Sequence, residues 1–207
     1  MNDGIELREL CCVRGRRTLF QGLNTALRPG QLLRVSGANG AGKTSLLRML
    51  CGLLAPTRGE VLWQGEALHR QREAFNRQLI YVGHGAALKD DLSPLENLRA
   101  SVCLGGSLPD DSAVRASLRD AGLGGREQVP VRILSQGQRR RAALARLPLG
   151  AAALWILDEP FNALDSAATA WLLRLIGGHL AQGGMVVLTS HQAVALADDV
   201  AQLNLAL

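Results

Sequence analysis

The chain has 207 residues, a length that fits one domain. Hydrophobic residues make up 47% and charged residues 20%, which excludes wholesale disorder and leaves enough material for a real core. The net charge of +5 is spread along the chain, and three Trp, one Tyr and three Phe speak against nucleic-acid binding by a basic stripe with stacking aromatics.

Of the 23 cationic residues, all but Lys43 and Lys89 are arginine. A retained lysine marks a place that wants a compact ammonium rather than a planar fork. The four cysteines at 11, 12, 51 and 103 form no CxxC pair, no CxxCH motif and no zinc-site spacing. They read as thiols in a reducing compartment. The polar, acidic start Met1–Glu6 does not have the form of a signal peptide. The longest wholly apolar stretch, Ala151–Leu157, is too short to cross a bilayer. A membrane role therefore has to come through a partner.

In chain order, short runs around Ile5–Leu10 and Gly59–Trp63 predict antiparallel strands near the N-terminus. Four branched, apolar runs predict buried parallel strands: Gln31–Ser36, Gln78–Val82, Ala153–Leu157 and Met185–Thr189. Helical patterns lie between them at Thr44–Leu53, Gln138–Leu147 and Ser166–Leu180. Strand alternating with helix implies an α/β fold with right-handed crossovers. Residues from about 86 to 134 lack strand runs and read as a small, mostly helical insert.

Open parallel sheets bind ligands at the carboxyl ends of their strands. The first run is followed by Gly37-Ala38-Asn39-Gly40-Ala41-Gly42-Lys43-Thr44 and the adjoining Ser45, the second by Gly83-His84, the third by Asp158-Glu159 and the fourth by Ser190-His191. Residues 37–44 fit GxxxxGK[ST], a loop whose backbone N–H groups cradle phosphates at a helix start. In that frame Lys43 faces the β- and γ-phosphates, and Thr44 and Asp158 serve Mg²⁺. Glu159 orients or deprotonates the attacking water. A second anion-binding helix start follows at Leu134-Ser135-Gln136-Gly137-Gln138. Two such starts, far apart in sequence, imply two chains sharing nucleotides. The run Arg139-Arg140-Arg141 reads as a solvated helix face.

With these residues the chain resembles the nucleotide-binding subunits of ABC transporters over nearly its whole length. The matching motifs are Walker A at 37–44, the signature at 134–138, Walker B at 154–159, a D-loop at Asn162-Ala163-Leu164-Asp165 and a switch histidine at His191. The resemblance implies a P-loop NTPase core with a mostly parallel sheet, an N-terminal antiparallel β portion and a helical subdomain, all within one domain spanning 1–207. It implies ATP and Mg²⁺ as ligands and a head-to-tail homodimer. There Ser135, Gly137 and Gln138 of one chain face the γ-phosphate held by Lys43 of the other, with Asp165 linking the two sites and His191 at the γ-phosphate.

Two positions depart from the family pattern. His84 stands where the family has a Mg²⁺-sensing Gln, and so becomes a catalytic and metal-ligand candidate. Arg14 stands where the family stacks an aromatic on adenine, and a guanidinium plane can take that place. Together with Val61–Gly65, Tyr81–His84 and Leu154–Asp165, they resemble the haem-exporter ATP-binding proteins of cytochrome c maturation. That branch implies an ATPase peripheral to the cytoplasmic face of the bacterial inner membrane, working with membrane-spanning permease subunits and cytochrome c maturation proteins. An ABC ATPase for another cargo, a soluble ABC-type clamp and an ATP-sensing module remain open at this point.

Overall fold

The computed structural model describes residues 3–108, 110–190, 194–196 and 200–207. In chain order its elements are β1 (Ile5–Arg14), β2 (Arg17–Leu27), β3 (Leu32–Ser36), α1 (Lys43–Leu50), β4 (Arg58–Trp63), β5 (Glu66–Ala67), α2 (Arg72–Asn76) and β6 (Leu79–Val82). There follow α3 (Pro94–Leu104), α4 (Asp111–Asp120), α5 (Gln136–Leu144), β7 (Leu154–Leu157), α6 (Ser166–Ala181), β8 (Met185–Thr189) and β9 (Gln202–Ala206).

Five strands form a parallel sheet in the order β6-β7-β8-β3-β9. The four branched runs are its first four members. β7 and β8 are buried at every residue, as a strand covered on both faces must be. Side chains alternate across the sheet. Leu154, Ile156, Met185, Val187, Leu33 and Val35 join one apolar cluster, and Trp155, Leu157, Val186, Leu188 and Leu32 join the other. The first cluster meets α1 and the antiparallel sheet β2-β1-β4-β5. The second meets α5, α6, and Leu95, Leu98, Val114 and Leu118 of α3 and α4. The helices of the 86–134 region therefore pack on one face of the parallel sheet and the antiparallel strands on the other.

Three strands went unpredicted: β2, the two-residue β5 and β9. β2 pairs with β1 from Ile5↔Leu27 to Arg14↔Arg17 and buries only Phe20 and Leu27, so it lacks an apolar run. β9 is an edge strand with alternating exposed and half-buried residues, and only Leu203 and Leu205 pack on the core.

Most of the longer helices carry their own start signals. Ser93 caps α3 through a reciprocal box with Glu96, and Pro94 sits at the first helical position. Ser135 and Gln138 form the same box on α5. Asp165 caps α6 by accepting from Ala168 N at 2.8 Å. Helix α1 has no side-chain cap, and no acidic residue stands in its first turn. The cysteines are free; Cys12 and Cys51 are buried, Cys11 is half-buried and Cys103 is exposed.

Beneath the sheet, Trp155 stacks on His179 of α6 with ring centroids 3.8 Å apart and planes within 3°. Burial pushes the His179 pKa down, opposed in part by the carbonyls of Met185 and Ala153. The folded state thus resists protonating this ring more than the unfolded chain does. Stability is complete above the unfolded imidazole value of about 6.5 and falls as pH drops towards the lower folded value. Chemical denaturation between pH 7.5 and 5 should show this loss, and His179→Leu should flatten that part of the profile.

Candidate nucleotide site

The loop 37–42 leaves β3 at its carboxyl end and enters α1. Gly42 occupies the N-cap position with φ of 110°, a left-handed geometry that favours glycine. A Cβ there would lie 3.0 Å from Leu19 Cβ and 3.2 Å from the Phe20 ring, so β2 also presses on the loop. The uncapped start of α1 leaves its first N–H groups for an external acceptor, and the helix dipole adds positive potential. Lys43 is buried, and its Nζ donates to the carbonyls of Gly37 at 2.8 Å and Ala38 at 3.2 Å. The ammonium is thereby held over the loop, with a third donor left by its valence.

Opposite the loop stands the end of β7. Asp158 is buried at 2% exposure, and both of its oxygens are occupied. Thr44 Oγ1 donates to Oδ2 at 3.0 Å, and Thr189 Oγ1 donates to Oδ1 at 2.8 Å. The Thr189 hydroxyl also accepts from Glu159 N at 2.7 Å. One fully buried hydroxyl at the end of β8 therefore ties both carboxylate residues to the neighbouring strand. Sequence reasoning missed Thr189 because it closes an apolar run as an ordinary β-branched residue. Its place next to Ser190-His191 was the available signal.

A cleft of about 450 Å³ runs between these parts. Asn39, Gly40, Gly42, Lys43, Thr44 and Ser45 line one side, and His84, Asp158, Glu159 and Asn162 line the other. The three strand ends β3, β6 and β7 thus bring their candidate residues to one edge. Gly37, Ala38 and Ala41 belong to the same loop. His84 is exposed and follows β6 after Gly83. His191 lies outside the described residues. Arg14 is exposed at the end of β1 and is not among the residues lining the cleft. Across the turn it pairs with Arg17, whose Nη1 lies 3.8 Å from a Cβ placed on Gly40.

The signature residues lie at the start of α5. Ser135 Oγ accepts from Gln138 N at 3.2 Å, and Gln138 Oε1 accepts from Ser135 N at 2.9 Å. The Ser135 hydroxyl acts there as acceptor, which leaves its proton for donation. Gly137 packs under the carbonyl of Ala163, 2.6 Å from where a Cβ would stand, so only glycine fits that approach.

The expected solvated face at 139–141 is corrected. Arg140 is buried, and Arg139 and Arg141 are half-buried. Arg139 donates to Asp90 and to the carbonyls of Leu134 and Arg132, while Arg141 donates to those of Ala121 and Gly122. Arg140 donates to the carbonyls at the ends of β6 and β7. A guanidinium satisfies several carbonyls at once, which a charge count along the sequence does not register.

The arrangement can bind an oligophosphate anion and present a carboxylate to a water beside it. For a divalent cation it offers one hydroxyl and one carboxylate, Thr44 and Asp158, already in contact. These are hard oxygen donors that suit Mg²⁺, which takes few protein ligands and completes its shell with phosphates and water. Among the described residues, no group of three His, Cys, Asp or Glu side chains could hold a metal by itself.

The comparisons agree with this geometry. The model of the ABC transporter family matches residues 20–162. The chain is 52% identical over 194 residues to a cytochrome c biogenesis ATP-binding export protein of Methylococcus capsulatus, covering 94% of each chain. A protein of the same description from Salmonella typhi is 50% identical, covering 97% of this chain and 96% of the relative. The chain belongs to the ABC transporter family, among the cytochrome c biogenesis ATP-binding export proteins.

Solved structures agree on the fold. An ABC transporter ATP-binding protein from Pyrococcus furiosus superposes with a TM-score of 0.84, at 24% identity and 98% coverage of both chains. An ATP-binding cassette solved as a dimer in a post-hydrolysis state, bound to ADP and Pi, gives 0.80 at 22% identity, covering 91% of this chain and 88% of that one. The chain is thus an ATP-binding ABC ATPase.

Thr189→Val keeps the shape and removes the hydroxyl. It leaves Glu159 N and Asp158 Oδ1 without that partner, and should cost about 1–3 kcal/mol of stability. Urea unfolding at neutral pH measures it, with Thr189→Ser as the variant that retains most of the stability.

Proposed function

We propose that the chain is the ATP-hydrolysing subunit of a membrane export complex for cytochrome c biogenesis, and that its turnover drives release or transfer of haem through partner subunits. One observation carries the ATPase part: the Thr44–Asp158 contact joins an uncapped helix start to the carboxylate turn in one cleft, with Glu159 beside it. Identity of about half over nearly the whole chain to export proteins of that process supports the cargo.

In this reading the whole of residues 1–207 is one ABC ATPase domain with a helical insert at about 86–134. Backbone N–H groups of residues 37–45 bind the phosphates of ATP, and Lys43 trades its loop carbonyls for the β- and γ-phosphate oxygens. Thr44 and Asp158 would hold Mg²⁺. That ion, when bound, neutralises charge on the phosphates. Glu159 holds the attacking water and accepts its proton. His191 and His84 contact the γ-phosphate region. The adenine stacks at the β1–β2 turn, where Arg14 is the candidate and Arg17 approaches the loop at Gly40. Two chains pair head to tail, so that Ser135, Gly137 and Gln138 of one close over the nucleotide of the other.

No helix among the described residues is long and apolar enough to cross a membrane. We place the chain peripherally on the cytoplasmic face of the inner membrane, held by permease subunits. A groove of about 360 Å³ between β6 and α3, lined by Tyr81, Val102, Leu104, Arg146 and Leu149, is where such a subunit docks. Leu104 in its lining and Leu108, next in sequence to its lining residue Ser107, are 90% and 95% exposed, an apolar invitation to a partner.

Lys43→Ala should abolish ATP turnover, and normal turnover in it would sink the loop assignment. Glu159→Gln should bind ATP, hydrolyse it at least about 100-fold more slowly and accumulate as a dimer on size-exclusion chromatography with Mg-ATP. A monomer there contradicts the shared site. His84→Gln should retain activity if the imidazole only replaces the family glutamine.

The tagged Glu159→Gln chain should also pull multi-span subunits and a haem-absorbing companion from native membranes with ATP. Membrane partners without haem would reassign the cargo, and no membrane partner would favour a soluble clamp. Leu104→Asp should release the chain from membranes while nucleotide affinity is unchanged.

A further inference from the structure

Arg140 lies on α5 and is 6% exposed. Its guanidinium meets backbone carbonyls from two strand ends. Nη1 donates to Gly83 O at 2.7 Å, and Nη2 donates to Asp158 O at 2.6 Å and Glu159 O at 2.9 Å. Nε reaches Pro160 O at 3.4 Å. Burying a guanidinium is costly unless its donors are satisfied, and burial does push the Arg140 pKa down, opposed by the nearby carboxylates of Asp158 and Glu159.

The carbonyl geometry is unusual. Along an extended strand successive carbonyls point to opposite sides, yet those of Asp158 and Glu159 converge on one nitrogen. They do so because Glu159 has φ of 49°, in the left-handed region that a non-glycine residue rarely occupies. Such a conformation persists when its surroundings over-determine it. Here Thr189 holds the Glu159 N–H from one side and Arg140 holds the Glu159 carbonyl from the other.

We infer that Arg140 is the positioning residue for Glu159: its buried guanidinium fixes the turn that carries the Glu159 carboxylate into the cleft. The inference rests on the reading of Glu159 as the residue that activates water. The same fork grips Gly83, the residue before His84, so α5 holds the ends of β6 and β7 in one register. A lysine at 140 has its three donors on one nitrogen and does not reproduce the fork, whose separate nitrogens meet Gly83, Asp158 and Pro160. A glutamine is too short and loses the charge.

The test uses the full chain purified with its membrane subunits, and a fluorescent ATP analogue for affinity. Arg140→Lys and Arg140→Gln should lower kcat by about 10–100-fold. KM for ATP and analogue affinity should stay within about twofold. In the Glu159→Gln background, the same substitutions should change residual single-turnover hydrolysis by less than about twofold, because the group they position is already gone.

Unchanged kcat in both variants would falsify the inference. So would equal losses of kcat and affinity, or an undiminished loss on top of Glu159→Gln. Failure of both variants to fold overturns it too, since Arg140 would then be a structural tie. A Glu159→Gln chain with normal turnover instead removes the functional reading beneath it, and that outcome is read independently of Arg140.

Discussion

The site depends on the two hydroxyls that grip Asp158. A carboxylate this buried must have its lone pairs satisfied. Thr44 and Thr189 supply those bonds from two different strand–helix units, so the carboxylate draws α1 and β8 together at the edge of the sheet. The remaining parts of the cleft hang on that clamp. Thr44 is the second residue of α1, so its position fixes where the uncapped helix start faces. Thr189 also holds Glu159 N, so its position fixes the turn that follows β7. Either hydroxyl alone would leave one side of the cleft free to drift from the other.

That clamp is possible because the sheet is parallel. All five strands end at the same edge, and residues that are far apart in sequence arrive there as neighbours. Position 44 meets position 158 because β3 and β7 both flank β8. The order of strands, more than any single motif, makes one loop, two carboxylates and His84 into one cleft. The two apolar clusters hold this order by alternation. A slip of one residue in β7 would exchange Leu154 and Ile156 for Trp155 and Leu157 between faces, and would take Trp155 from its stack on His179.

Much of this was legible because it rests on local chemistry. GxxxxGK[ST] after a branched run, Asp-Glu after another, and Ser-x-x-Gln before an arginine-rich helix each carry their physics in adjacent residues. What escaped depends on partners in space. β2 is a strand because β1 pairs with it, and its exposed side chains leave no run to read. β9 is held by hydrogen bonds to β3, with only Leu203 and Leu205 anchoring it. Thr189 acts through a hydroxyl whose partners come from β7, 30 residues away for Glu159. Arg17, not Arg14, is the guanidinium that comes close to Gly40, because the two face each other across the β1–β2 turn and only one leans towards the loop.

Four arginines on α5 and just beyond it show what a guanidinium does here. Arg139, Arg140, Arg141 and Arg146 each donate to backbone carbonyls of a different neighbour: the 132–134 segment, the β6 and β7 ends, the α4 end and Tyr81 of β6. Most of these carbonyls lie where a helix or strand ends, and that of Tyr81 lies within the edge strand β6. A planar fork answers such groups from separate nitrogens in a fixed geometry, which the single nitrogen of a lysine does not. Lys43 is the opposite case. Its Nζ is held over the loop by two carbonyls, and in the proposed reading it exchanges them for phosphate oxygens, which suits a compact and rotatable ammonium. Lys89 is exposed, so the retained lysines do not share one reason. α5 therefore carries two roles on one short helix. Ser135, its N-cap, is exposed, and the arginines behind it fasten the insert to the strand ends. A rotation of the insert would be felt at Gly83 and at the 158–160 turn through the same guanidinium, with no contact to nucleotide needed to transmit it.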